Sequence, residues 1–165
     1  MLLSTVQCQR VKTSHNHIFD DWDSIWASNK QGTFAVLEFC RKYSCKVVYA
    51  GSSTKFGDGG LGRSQSPYAW SKASNTELVG NYGRWFDLPY AITYFYNAYG
   101  PREISRGKYA TLIGLFADRM RSGQSLEVVS PGSQKRNFTH VSDIVSGLMR
   151  VGFEGLGDDF GIGSD

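Results

Sequence analysis

The chain has 165 residues, of which 41% are hydrophobic, 14% aromatic and 20% charged, enough apolar area for a buried core and too little charge for intrinsic disorder. Eighteen basic against fifteen acidic residues leave a net charge of +3, which excludes the strongly basic profile of a nucleic-acid-binding surface. Three cysteines, Cys8, Cys40 and Cys45, odd in number and without a Cys-x-x-Cys pair, argue against a secreted disulfide framework. No apolar run is long enough for a signal-peptide core or a membrane span, so a cytoplasmic location is expected.

From residue 20 to 43 the large apolar side chains fall at Trp22, Ile25, Trp26, Phe34, Val36, Leu37 and Cys40, a helical spacing with Asp20 and Asp21 at the favourable end of the dipole. Residues 46–50 (KVVYA) form a short β-branched and aromatic run ending in Gly51-Ser52-Ser53, a buried strand that runs into a polar loop. Ser66-Pro67 then opens a second helix with proline in its first turn, and Leu78, Val79, Tyr82, Trp85 and Phe86 carry its apolar face. Residues 89–95 (PYAITYF) predict the next strand, 109–121 a third helix, 126–129 a third strand, and the stretch from Ser142 to about Val151 a short helix. Helix, strand, helix, strand, helix, strand is the order of an α/β protein with a parallel sheet. The alternation is regular up to about Gly100 and less so beyond it, which divides the chain into a first domain over 1–100 and a smaller lobe over 101–165, with a ligand cleft expected between them.

Gly57-x-Gly59-x-x-Gly62 formally matches a dinucleotide fingerprint. That motif must open a helix directly so that a pyrophosphate sits on the helix N-terminus, whereas here residues 63–67 intervene and no acid follows about 20 residues on. The glycines read instead as a loop over a site. Tyr68-x-x-x-Lys72 puts a phenol and an ammonium on one face of the second helix, in its first turn. An ammonium about 6 Å from the phenol, at an effective dielectric of about 20, lowers the phenol by about two pKa units, into the range of general acid/base catalysis.

VVYAGSSTKFG (47–57), SPYAWSKA (66–73), FYNAYGPRE (95–103) and QKRNFTHVSDIV (134–145), with Asn29-Lys-Gln-Gly32-Thr33 upstream, resemble the extended short-chain dehydrogenase/reductases, and within them the NAD-dependent nucleotide-sugar epimerase/dehydratase group that includes UDP-glucose 4-epimerase. The resemblance implies the C-terminal part of a Rossmann-like parallel sheet plus part of a smaller substrate-binding lobe, and NAD as cofactor. It implies that Ser52, Tyr68 and Lys72 are catalytic, that Tyr68, Lys72 and Phe95 face the cofactor, and that Ser52, Ser53, Asn97 and Arg136 bind a nucleotide-diphosphate sugar. His140 and Asp143 are read as organising a helix start. The implied reaction is epimerisation through a transient keto-sugar; a dehydratase or ketoreductase of the same family and a non-catalytic nucleotide-sugar-binding fragment are the alternatives. Dehydratases of the group carry Asp-Glu after the catalytic Ser/Thr, and decarboxylases tend to carry Glu at the second of these positions; Ser53-Thr54 stands here, which favours epimerisation. Tyr94 and Asn137 depart from the family's usual Arg and Asp. The Gly-rich turn and first strands of the family have no counterpart, so an internal portion of a longer protein is expected. A homodimer is also implied, packed through the helix over 20–43 and the tyrosine helix, with Trp22, Trp26, Phe34 and Trp85 compatible with it.

Overall fold

A computed structural model describes residues 4–6, 22–52, 64, 66–107, 110–128, 130–133 and 135–163 of the chain. A central four-stranded sheet runs in the order β1 (Ser4–Val6), β2 (Val47–Ala50), β3 (Tyr90–Phe95), β6 (Gly157–Ile162), and every neighbouring pair in it is parallel. A second, two-stranded parallel ladder joins β4 (Ala98–Tyr99) to β5 (Thr139–His140). The α/β class and the parallel Rossmann-like sheet expected from the sequence are therefore present.

The first helical stretch has three parts: α1 (Trp22–Ile25), a π-helical turn (Trp26–Gln31) and α2 (Gly32–Tyr43). The sequence predicted one uninterrupted helix here. The π-turn widens it where Asn29 and Thr33 are buried against polar partners, and such turns recur where a helix must re-aim a side chain. Helix α3 (Pro67–Phe86) begins as the sequence predicted: Ser66 is extended, its hydroxyl accepts from Ala69 N at 3.1 Å, and Pro67 occupies the first turn where no backbone donor is needed. It ends at Asp87, which adopts a left-handed φ of 51°.

Strand side chains alternate, and the two faces of the sheet are filled by different helices. Val47, Tyr49, Ile92 and Tyr94 join Leu37 and Cys40 of α2 and Val79 and Tyr82 of α3 in one core cluster. Lys46 and Val48 share the opposite face, and there the Lys46 ammonium donates to the carbonyls of Val151 (3.0 Å) and Gly152 (2.8 Å) near the end of α5 (Val141–Glu154). Helix α5 thus covers β3 and β6 from the other side, which is how an all-parallel sheet keeps both faces dry. Helix α4 (Leu112–Arg121) lies in the later part of the chain, capped by the Thr111 hydroxyl and tied to the preceding segment by a bidentate Arg106–Asp118 pair at 2.9–3.0 Å.

Two expectations change. Residues 126–128 are not a strand: Leu126 and Val128 are exposed and no ladder forms there, because β-propensity without a partner edge earns no hydrogen bonds. The sheet instead takes its last strand from 157–162 (GDDFGI), whose glycines and acids hide it from propensity. Helix α5 and β6, from the stretch after residue 100, pack on β3 of this sheet.

Lys46 joins β2 to the negative end of α5's dipole. Lys46→Met is expected to lower unfolding free energy by about 1.5–3 kcal/mol, the range for hydrogen bonds from a charged donor, read as a lower urea midpoint at unchanged slope.

Candidate functional site

Parallel pairing brings the carboxyl ends of β2 and β3 to one edge, and the candidate residues gather there. The ladder continues one residue past β2, where Gly51 N donates to Thr93 O at 2.8 Å. Position 51 admits no side chain as built: a Cβ would stand 2.5 Å from Cε1 of the fully buried Tyr94. Tyr94 is fixed in turn, its hydroxyl donating to Oδ1 of Asp158 on β6 at 2.7 Å. Ser52 therefore follows a backbone position pinned by a ring.

The first turn of α3 delivers Tyr68 to the same edge, half-buried, where the Ser52 side chain acts on its phenol. The spacing to Lys72 predicted a lowered phenol; the phenol is instead raised above its ordinary value. Burial penalises the phenolate, and the Ser52 side chain offsets only part of that. The Lys72 ammonium is engaged elsewhere as well: it donates to Ala50 O at 2.6 Å and lies over the Tyr49 ring, 4.8 Å from its centroid. Ser52, Tyr68 and Lys72 are thus brought to one strand end. Phe95 ends β3, half-buried, at the adjacent strand terminus. Ser53, Thr54 and the glycines at 57, 59 and 62 lie outside the described residues, as does Cys8; Cys40 is buried and Cys45 half-buried.

A second cluster lines a cleft of about 590 Å³ formed by Tyr96, Asn97, Lys135, Arg136, Asn137 and two glycines, Gly161 and Gly163. Asn97 sits at a left-handed φ of 38°, its Nδ2 donates to Asn137 O at 2.8 Å, and its own carbonyl accepts from Thr139 N at 3.3 Å. The Asn97 side chain therefore clasps the segment that carries Arg136. Arg136 is exposed, its guanidinium donating to Lys135 O at 3.1 Å, and a planar donor fork at such a cleft suits a phosphate or diphosphate. His140 does organise a helix start: it is the N-cap of α5, where Nδ1 accepts from Ser142 N at 3.3 Å. The Ser142 hydroxyl donates to Asp143.

Sequence reasoning missed a polar seam between the π-turn and α3. Asn29 Nδ2 donates to Ser71 Oγ (2.9 Å), the Ser71 hydroxyl donates to the Tyr68 carbonyl (2.8 Å), and Asn75 Nδ2 donates to Asn29 O (2.7 Å) and Thr33 Oγ1 (3.0 Å). Asn29, Thr33, Ser71 and Asn75 are all buried. Helical periodicity scores such positions as polar and assigns them to solvent; only the Asn29–Thr33 segment carried a signal, through the resemblance. Asp158 and Tyr94 gave none as a pair. Among the described residues no group of three or more His, Cys, Asp or Glu could hold a metal, and no helix is long and apolar enough to cross a membrane.

Two predictions follow from this geometry. Gly51→Ala is expected to cost about 1–3 kcal/mol through overpacking against Tyr94, measured by chemical denaturation. Burial also raises Tyr49 above the ordinary tyrosine value. Both raised phenols hold their protons in the fold beyond the pH at which the unfolded chain releases them, so stability is full below about pH 10 and falls as pH rises above it. Denaturation midpoints between pH 9 and 11 are expected to fall less steeply in Tyr49→Phe than in the parent.

The sequence profile described as the NAD dependent epimerase/dehydratase family matches residues 10–163. An uncharacterized UDP-glucose epimerase of Bacillus subtilis, YtcB, is 30% identical over 133 residues, covering 76% of this chain and 41% of that protein. The dTDP-D-glucose 4,6-dehydratase of Dictyostelium discoideum is 27% identical over 159 residues, 84% of this chain and 36% of that protein. Among solved structures, UDP-glucose 4-epimerase of Thermotoga maritima with UDP-glucose superimposes with a TM-score of 0.83 at 22% identity, over 94% of this chain and 53% of that one, a likeness of fold. The dTDP-glucose 4,6-dehydratase of Bacillus anthracis in complex with NAD gives a TM-score of 0.72 at 28% identity, over 85% and 47%. The chain spans about half the length, or less, of the proteins it matches.

Proposed function

This chain belongs to the NAD dependent epimerase/dehydratase family, and from that premise we propose that it carries the catalytic edge of an enzyme that epimerises a nucleotide-diphosphate sugar through a transient keto-sugar. The observation that carries the reading is the convergence of Ser52, the half-buried Tyr68 phenol and the Lys72 ammonium at the carboxyl end of β2, where the ammonium donates to Ala50 O at 2.6 Å.

The donor set fits one end of NAD. The Tyr68 hydroxyl and the Lys72 ammonium, one helical turn apart on α3, match the vicinal hydroxyls of a ribose, with Phe95 at the neighbouring strand end for the nicotinamide side. No glycine-rich strand-to-helix turn occurs among the described residues, so what they supply is the nicotinamide-ribose end. When bound, NAD accepts and returns the carbinol hydride. Everything else falls to the chain: Tyr68, ionised at the start of the step, takes the proton of the reacting sugar hydroxyl and later gives it back, Ser52 hydrogen-bonds that same oxygen, and Lys72 supplies the positive charge that favours the phenolate against the burial that raises the phenol. Asn97 and Arg136, with Ser53, hold the nucleotide-diphosphate part, which sets how far the sugar reaches toward Tyr68.

Ser53-Thr54 supports epimerisation over dehydration: eliminating water requires an added acid and base, and neither side chain is a carboxyl. In the protein that contains this chain, Tyr68→Phe is expected to reduce turnover by about 10²–10⁴-fold with nucleotide-sugar affinity retained, and to remove the limb of the pH profile in which rate rises with pH as the phenol loses its proton. Unchanged turnover overturns the mechanism. Arg136→Ala is expected to weaken nucleotide-sugar binding about tenfold or more in calorimetry while leaving NAD binding unaltered; an unaltered nucleotide-sugar affinity removes Arg136 from the site.

A homodimer through α2 and α3 belongs to the same proposal. Phe34, Phe39 and Tyr43 on α2 and Trp85 and Phe86 on α3 are all exposed, Trp85 by 60%, on two helices that pack together, and exposed aromatics of this kind suit a protein interface. Phe34→Glu and Trp85→Glu are expected to convert a dimer to a monomer in sedimentation; a parent protein that sediments as a monomer removes this part.

A further inference from the structure

Lys72 meets the strand in two ways, and only one of them is a hydrogen bond. Its ammonium donates to Ala50 O at 2.6 Å, which fixes one direction of a long, flexible side chain. Beneath it lies the face of Tyr49, 4.8 Å from Nζ to the ring centroid. Tyr49 is 2% exposed and belongs to the core cluster with Leu37, Val79 and Ile92.

The hydroxyl at the far end of this ring does not explain why a tyrosine stands here. Tyr49 Oη and Asn75 Oδ1 are both buried without a well-formed hydrogen bond, among the described residues. Asn75 itself is held fast, its amide donating to Asn29 O and Thr33 Oγ1, so it backs the phenol end of the ring as a fixed wall. Asn75 acts on the phenol from close by but not in hydrogen-bond geometry, so the hydroxyl gains little that would favour tyrosine over phenylalanine. What the position uses is the ring: a rigid, negative quadrupole face presented to a cation at the edge of the core.

The geometry points to Tyr49 as a positioning residue whose ring face holds the Lys72 ammonium over the carboxyl end of β2. An aliphatic side chain would remove the ring contact and leave only the Ala50 carbonyl to fix the ammonium on this strand. With the ring in place the ammonium is confined to the line between the strand carbonyl and the ring normal, and it stays within the turn that carries Tyr68. The functional meaning of this contact rests on the proposed cofactor role of Lys72; the contact itself does not.

The test separates the two. In the 165-residue chain with labelled lysine, the Lys72 ε-methylene protons, assigned by Lys72→Met, are expected upfield of the other lysines through the ring current of Tyr49. Tyr49→Phe keeps that displacement, and Tyr49→Leu and Tyr49→Met abolish it while the remaining spectrum stays that of a folded chain. In the protein that contains this chain, KM for NAD is expected to rise about threefold or more in Tyr49→Leu, the range a cation–π contact supports, with Tyr49→Phe restoring it. A Lys72 resonance unmoved by Tyr49→Leu and Tyr49→Met overturns the positioning, as does a KM raised equally in Tyr49→Phe. Lys72→Met with unchanged NAD affinity overturns the cofactor role instead, and leaves the ring-current result standing.

Discussion

Parallel pairing of β2 with β3 is the constraint from which the rest of the molecule follows. Parallel strands end at the same edge and need crossovers to return the chain, so the residues after Ala50 and after Phe95 are brought side by side while the intervening α3 must lie across one face. The helix then starts at the same edge at which the strands end. A serine following β2 and a tyrosine opening α3 become neighbours without any local sequence contact between them. The same ladder buries both faces of β2, from Val47 to Ala50, which commits the chain to helices on both sides: α2 and α3 on one, α5 on the other, with Lys46 bridging to the last.

The way α3 is held against the π-turn differs from ordinary helix packing. Ridges of aliphatic side chains tolerate slippage along the groove, and a slip of one residue would carry Tyr68 about 1.5 Å along the helix axis, enough to lose Ser52. Four buried polar side chains, Asn29, Thr33, Ser71 and Asn75, remove that freedom, since each has its partner only in one register. The cost is exposure to large penalties if any one partner is lost. Tyr94 acts similarly on the strand side: its ring leaves room only for glycine at position 51, and its hydroxyl is committed to Asp158, so the segment leading to Ser52 cannot relax toward the core.

Much of this was legible in the sequence, and the rest was hidden for definable reasons. Pro67 in a first turn, the serine before it, and the alternation of KVVYA and PYAITYF are local signals, and the structure places the corresponding elements within a residue or so. Tyr68 and Lys72 were marked by their spacing on one helix face, and Ser52 by the resemblance that the order of motifs carries. The strand at 157–162 was not, because a strand rich in glycine and aspartate is held by its neighbour's ladder and not by its own propensity; conversely 126–128 had propensity and no neighbour. The direction of the Tyr68 shift was misread for a related reason. Spacing reports that an ammonium is one turn away, but not that a strand carbonyl and a buried ring have claimed it, nor that desolvation outweighs the effect of the Ser52 side chain.

The two clusters at the strand edge are built from different parts of the chain, and Asn97 ties the second of them to the strand that pairs with β2. Ser52, Tyr68 and Lys72 come from β2 and α3; Lys135, Arg136 and Asn137 come from the segment before β5. Asn97 stands just past β3, the strand that pairs with β2, and its amide holds Asn137 while its carbonyl extends toward β5 through Thr139. A residue that sequence reading assigned to substrate is therefore also the clasp that brings the arginine segment to the edge. Its left-handed backbone, tolerated by asparagine better than by most side chains, lets β3 turn directly into β4 and present that clasp. The place of the guanidinium that would hold a diphosphate is thus set through the end of β3, so a change at Asn97 moves the arginine segment relative to the edge where the phenol stands.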